Sequence, residues 1–211
     1  MQALYPSAMA LVLALIFSAC SKQDSATDPV APPPSPASTP AAVIGRVPVL
    51  TGGTPAVIIL EPRHTDHVPA PSGMPVMDQV ARSFIPPILF VRTGHAAEFR
   101  NSDDELHNIN VRDGVTHQQT FNVAVPTGEL YRYTFKGSGV YDVSCDIHAG
   151  MSAQIVATST PYATLADPEG RFSFPDVVPG TYTLTVYAGV RTIERTVEVT
   201  GARTEVDATG P

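Results

Sequence analysis

Tryptophan is absent from this 211-residue chain, and cysteine occurs only twice, at Cys20 and Cys145. Positive charge is scarce: 13 Lys and Arg stand against 20 Asp and Glu, a formal charge of −7. With no basic run and no basic patch interleaved with aromatics, the chain lacks the footprint of a nucleic-acid binder. An acidic surplus of this size is an ordinary solubility charge. A Gly-rich phosphate loop, a Cys-x-x-Cys-His haem attachment and a Ser/His/Asp motif are all missing. Residues 77–157 show no 3.6-residue apolar period, so helices do not organise the chain.

What is present begins with a leader. Leu11 to Phe17 form an apolar core followed by the small Ser18 and Ala19. That run is too short for a transmembrane span and reads as an export signal over residues 1–19. Residues 20–42 are rich in Pro, Ala, Ser and Thr, with prolines at 29, 32, 33, 34, 36 and 40. Such a composition buries too little apolar surface to order itself and favours extended polyproline II. At about 3 Å per residue it is a semi-rigid spacer reaching up to about 60 Å.

The remainder reads as short strands punctuated by turns, the pattern of β-sandwiches. Val43–Leu50 and Ala56–Leu60 make a pair of strands around Thr51-Gly52-Gly53-Thr54-Pro55. Two strands alone are not a domain and require further partners. Further strands are expected at 84–91, 96–100, 107–111, 121–125, 131–135, 139–145 and 152–157, with Pro86 and Pro87 marking an edge or a break. Strict alternation in Tyr182-Thr183-Leu184-Thr185-Val186 predicts a strand with one buried face.

One heptapeptide concentrates the chemistry. Cys145-x-x-His148-x-x-Met151 places a thiolate, an imidazole and a thioether on a single loop between two predicted strands. A cysteine, two histidines and a weak axial methionine constitute a blue-copper electron-transfer site. The second imidazole has to arrive from a neighbouring strand, and His107 stands at a strand start. Its neighbour Asn108 is the expected outer residue pinning the two ligand segments together. A lone thiol in an oxidising compartment needs an occupant, and a metal at Cys145 supplies one. His64 and His67, with Met74 and Met77 nearby, read as a solvated loop, with Met77 the first core residue of a strand. His95 and His117 read as surface histidines.

Three resemblances extend this reading. Phe17-Ser18-Ala19-Cys20 resembles the bacterial lipoprotein processing box, which implies lipidation of Cys20 and anchoring on the periplasmic side of the cell envelope. It departs from that box at Phe17 and in lacking a basic residue near the N-terminus. Asn101-Ser102-Asp103 leading to His107-Asn108, with Cys145–Met151 after a Tyr/Val strand, resembles the small cupredoxins, similar in loop length to amicyanin and pseudoazurin. The wider stretch from Met77 to Tyr162 resembles bacterial plastocyanin-like proteins labelled methylamine-utilisation-like. Asp146 departs from the Thr or Ser common after the cysteine. Asp167–Phe172 and Pro179–Leu184 resemble the second half of a carboxypeptidase-regulatory-like β-sandwich, whose first half fits residues 43–62.

The expectation is therefore an all-β protein: a cupredoxin Greek-key sandwich at 63–160 inserted in, or followed by, a second small β-sandwich formed by 43–62 and 161–211. The resemblance implies one type 1 copper ion held by His107, Cys145, His148 and Met151. It implies one-electron exchange with a redox partner protein rather than enzymatic turnover. A copper carrier or sensor that docks a partner through the second sandwich is the alternative.

Overall fold

A computed structural model describes residues 39–51, 55–64 and 68–210. The leader, Cys20, most of the linker and His67 lie outside them. Among the described residues no helix is long and apolar enough to cross a membrane.

The chain forms β1 (Ala41–Arg46), β2 (Val57–Pro62), β3 (Val76–Val80), β4 (Ser83–Ile85), β5 (Ile88–Arg92) and β6 (Ala96–Asn101). It continues with β7 (His107–Asp113), β8 (Gln119–Val125), β9 (Leu130–Thr134), β10 (Gly139–Ser144) and β11 (Ser152–Thr158). The last strands are β12 (Ala163–Leu165), β13 (Arg171–Val177), β14 (Gly180–Ala188), β15 (Arg191–Val199) and β16 (Arg203–Asp207). The apolar run at 84–91 divides into β4 and β5 because Pro86 and Pro87 donate no ladder hydrogen bond.

Two sheets share the segment from β3 to β11. One has the order β5-β11-β10-β7-β8, the other β4-β3-β6-β9. Their inward faces meet in a core that includes Met77, Phe99, Ile109, Val111, Phe135, Val143 and Ile155. Alternation produces it: in β10 Tyr141 and Val143 point inward while Asp142 is exposed. Phe121 caps this core against Tyr133, with ring centroids 4.5 Å apart. Each fully buried Ile, Leu, Val or Phe contributes about 1.5–3 kcal/mol relative to exposure.

The other two sheets have the orders β13-β1-β16 and β12-β2-β14-β15. They enclose a second core around Val43, Ile58, Leu60, Phe172, Leu184 and Val186. Here β1 runs antiparallel to β13 and parallel to β16, and β2 lies between β12 and β14. Residues 41–62 thus share both sheets with residues 163–207, while β3 to β11 intervene in sequence. Pro175 is accommodated because β13 is an edge strand.

The turn from β12 to β13 is built by side-chain capture. Asp167 Oδ1 accepts the amides of Glu169 (3.0 Å) and Arg171 (2.7 Å). Gly170 adopts φ +75°, and a Cβ there would stand 2.5 Å from the Val47 carbonyl oxygen. Glycine is therefore required both by its backbone angle and by the close approach of the chain after β1.

Candidate metal centre

The hairpin loop between β10 and β11 carries the heptapeptide. Ser144 pairs with Ser152 as the last rung of the ladder, and the Cys145 amide donates to the Met151 carbonyl at 3.2 Å, closing the loop. Gly150 turns it with φ +88°. On the neighbouring strand, His107 opens β7, whose other edge is paired with β10 through Asn110 and Ser144. Strand pairing therefore brings His107 to the loop across a separation of 38 residues.

Three ligand-type side chains converge. Cys145 Sγ lies 3.9 Å from His107 Nδ1 and 4.0 Å from His148 Nδ1, and the two Nδ1 atoms are 2.9 Å apart. His107 is fully buried, Cys145 and Met151 are buried, and His148 keeps a partly exposed edge. Of the sequence-predicted ligands, His107, Cys145 and His148 form a group able to hold a metal ion, and Met151 shares the buried cluster of Cys145.

The opposite ring nitrogens explain why these donors point inward. His107 Nε2 is 2.8 Å from Asp103 Oδ2, and His148 Nε2 is 2.9 Å from Glu105 Oε2. A carboxylate accepts but does not donate, so each ring's Nε2 donates to its carboxylate and its Nδ1 faces the interior. The two Nδ1 atoms and the cysteine sulfur, all within 4.8 Å of one another, can hold one cation. Nitrogen and sulfur donors of this softness suit copper or zinc and not magnesium or calcium.

The sequence pattern assigns no role to the side chains of Asp103 and Glu105. The structure shows what shapes the turn that carries them. Asn101 is buried and its side-chain amide donates to the carbonyls of Glu105 and Val125, both at 2.8 Å. The Asp103 carboxylate accepts the backbone amides of Ala81 (2.6 Å) and Arg82 (2.9 Å) in the β3–β4 turn. Those amides, with the His107 ring, hold the Asp103 carboxyl below the ordinary carboxylate range, the Arg82 amide contributing most. The Arg82 guanidinium grips Glu105 at 2.6 and 2.8 Å and lowers its pKa in the same way. The only available signal was an acidic residue two and four positions before His107, and acidic turns are common on any surface.

Asn108 sits between the ligand segments. Its Oδ1 accepts the Asp146 amide at 2.6 Å, and its Nδ2 donates to Asn122 (2.7 Å) and to Asp146 Oδ2 (3.0 Å). The Asp146 carboxylate also accepts from Asn110 at 2.9 Å and Asn122 at 2.8 Å. Those donations depress the Asp146 pKa, the Asn110 amide first and the Asn122 amide second. The charge beside the cysteine is thus surrounded by amide donors. His64, His95 and His117 are exposed and stand outside this constellation, as does the exposed Met74, whereas Met77 is a core residue of β3.

A paired-sheet sandwich with a buried Cys and two His at one loop end defines a cupredoxin-like fold, accompanied by an additional fibronectin-type β domain. Residues 75–158 match the family of copper binding proteins, plastocyanin/azurin family. Residues 123–207 match polysaccharide lyase family 4, domain II. Hydrogen-bonded pairing assigns β8 to β11 to the cupredoxin-like sheets, so only the part of that second match from β12 onward lies in the additional domain.

Among solved structures the chain is similar to amicyanin from Paracoccus versutus, at 17% identity over 47% of this chain and 97% of that one, TM-score 0.37. It is also similar to a novel purple cupredoxin from Nitrosopumilus maritimus, at 22% identity over 39% and 98%, TM-score 0.36. A Cu-containing nitrite reductase from Thermus scotoductus aligns at 27% identity over 46% of this chain and 25% of its own, TM-score 0.38. No curated protein matches the chain.

Proposed function

We propose that this protein is a type 1 copper protein that carries single electrons at the bacterial cell envelope. The observation that carries the proposal is the convergence of His107 Nδ1, His148 Nδ1 and Cys145 Sγ within 4.8 Å of one another, with both Nε2 atoms committed to carboxylates. Bound copper supplies a one-electron couple. The chain supplies a thiolate, two imidazoles fixed by hydrogen bonds, and Met151 as the weak fourth ligand. Burial of His107, Cys145 and Met151 excludes water from the donors. A centre whose ligands are held by outer hydrogen bonds rearranges little between redox states. This chemistry involves no substrate turnover, so we read the protein as an electron carrier and not an enzyme.

We read residues 63–160 as a cupredoxin inserted between the halves of one small sandwich, 43–62 and 161–211. The shared sheets of residues 41–62 and 163–207 support this. The Asp167–Phe172 turn supports a carboxypeptidase-regulatory-like type for that sandwich. Residues 1–19 act as the signal, Cys20 carries the lipid, and the Pro-rich segment spaces the folded part from the membrane. Replacement of Cys20 by Ser should release the protein into the soluble envelope fraction, and continued membrane association would remove the anchor from this account.

Electrochemical titration tests the electron-transfer reading. One electron per copper, reversible over repeated cycles, is expected. Met151→Gln should keep the copper and lower the potential, because an oxygen donor favours the oxidised ion. Transfer of the metal to an apo-acceptor within minutes would favour a copper carrier.

A further inference from the structure

We infer that Glu105, held by Arg82, is a positioning residue that caps His148 and fixes its metal-binding edge before any metal arrives. This inference rests on the copper reading for its redox consequence, but the cap itself is a property of the metal-free chain.

The geometry is a short relay. His148 comes from the β10–β11 loop, the segment of the site with the least strand support. Its Nε2 meets Glu105 Oε2 at 2.9 Å. Glu105 belongs to the turn before β7 and is engaged on both oxygens by the Arg82 guanidinium, at 2.6 and 2.8 Å. Both contacts come from one nitrogen, Arg82 Nη2, and as charge-assisted bonds they hold the carboxylate close. Arg82 in turn is anchored by its backbone, which donates to Asp103 at 2.9 Å, and Asp103 contacts the Nε2 of His107. One residue of the β3–β4 turn therefore reaches both imidazoles, through its amide to one and its side chain to the other.

The turn itself is unusual in a way that fits this role. Ala81 and Arg82 have φ of 50° and 54°, the left-handed region that Gly and Asn normally occupy in such hairpins. Holding non-Gly residues there strains the backbone. The Asp103 carboxylate accepting from both amides offsets that strain. An Asn-Gly turn would be easier to form but would lack the guanidinium.

Two consequences follow. With its Nε2 proton committed to Glu105, the His148 ring stays in the orientation that presents Nδ1 to the cysteine. A negative carboxylate on the distal nitrogen also strengthens the imidazole as a donor and favours the oxidised ion. Glu105→Gln keeps an acceptor and removes the charge, Glu105→Ala removes both, and Arg82→Ala frees the carboxylate while leaving the backbone contact to Asp103.

Two measurements on the full chain in detergent test this. In the metal-free protein, NMR should show the His148 Nε2 proton exchanging with solvent about 10-fold faster in Glu105→Ala, with a smaller change in Glu105→Gln. In the copper-loaded protein, Glu105→Ala should bind about 10- to 100-fold more weakly, and both Glu105 variants should shift the reduction potential upward. Arg82→Ala should speed the proton exchange as Glu105→Ala does, but it removes a positive charge and leaves the carboxylate, so it should not raise the potential. Unchanged proton exchange and unchanged potential in a folded Glu105→Ala protein would overturn the cap. If Glu105→Ala fails to fold, the same readouts in Glu105→Gln and Arg82→Ala decide it. Absence of copper binding by the unaltered chain would overturn the copper reading alone, because the proton-exchange measurement needs no metal.

Discussion

His107 Nδ1 faces His148 Nδ1 at 2.9 Å, beside the sulfur of Cys145. Each ring turns its Nε2 to a carboxylate at its far side. The two inward nitrogens and the sulfur thus offer adjacent donors to one soft cation.

Metal should accordingly stabilise the fold. At a free concentration 100 times its Kd, an ion that binds only the native state adds about 2.7 kcal/mol. Thermal unfolding with and without Cu(II) should show this gain, chelation should reverse it, and His107→Ala should abolish it. Equal melting temperatures in the two conditions would contradict the assignment of these donors.

Asn108 links the two ligand segments, so its loss should be felt by both. Asn108→Ala leaves the Asp146 amide without the oxygen it meets at 2.6 Å. A cost of about 1–3 kcal/mol is expected in denaturant unfolding. Asn122→Ala removes a donor to Asp146 at the more exposed side of the network and should cost less. Equal costs would mean that the Asn108 contact to the loop backbone has no special weight.

Acid sensitivity has a specific source in β6. Arg100 first, then Arg132, donate to the Glu98 carboxylate and lower its pKa below the ordinary glutamate value. A depressed carboxylate contributes stability that is fully present above its unfolded pKa and is lost as pH falls through its folded pKa. Glu98→Gln should therefore destabilise the protein at pH 7 and flatten the decline in stability below about pH 4.3. A parallel acid-unfolding curve for the variant would exclude Glu98 as a contributor.

The second sandwich offers a separate test of chain organisation. Leu60 is fully buried in β2 opposite Leu184 of β14. Leu60→Ala should cost about 2–5 kcal/mol and raise hydrogen exchange in β14 and β15 while leaving β7 and β10 protected. Loss of protection confined to β7 and β10 would contradict the pairing of β2 with β14.

The strands and the ligand loop were legible in the sequence because each depends on local pattern. Period-two alternation wrote β14, proline wrote the break between β4 and β5, and Cys-x-x-His-x-x-Met wrote its own chemistry. His107 could be named because it opens an apolar strand and a fourth donor was required. The supports were hidden for a physical reason. Arg82, Asp103 and Glu105 meet only after β3, β6 and β7 are assembled, and an acidic turn and a surface arginine have no period to read. Asn110 and Asn122 lie on adjacent strands, and only the register of β7 against β8 places them around Asp146. Asp146 itself was visible as a departure from the usual residue after the cysteine, but its amide surroundings were not.

The central claim is that Cys145 binds copper as a thiolate beside two imidazoles. Addition of Cu(II) to the purified, reduced protein tests it by visible absorption. The account predicts an intense thiolate-to-copper band that bleaches on reduction, returns on reoxidation and is absent from Cys145→Ser. No band in the unaltered protein, or a band that survives Cys145→Ser, would contradict it.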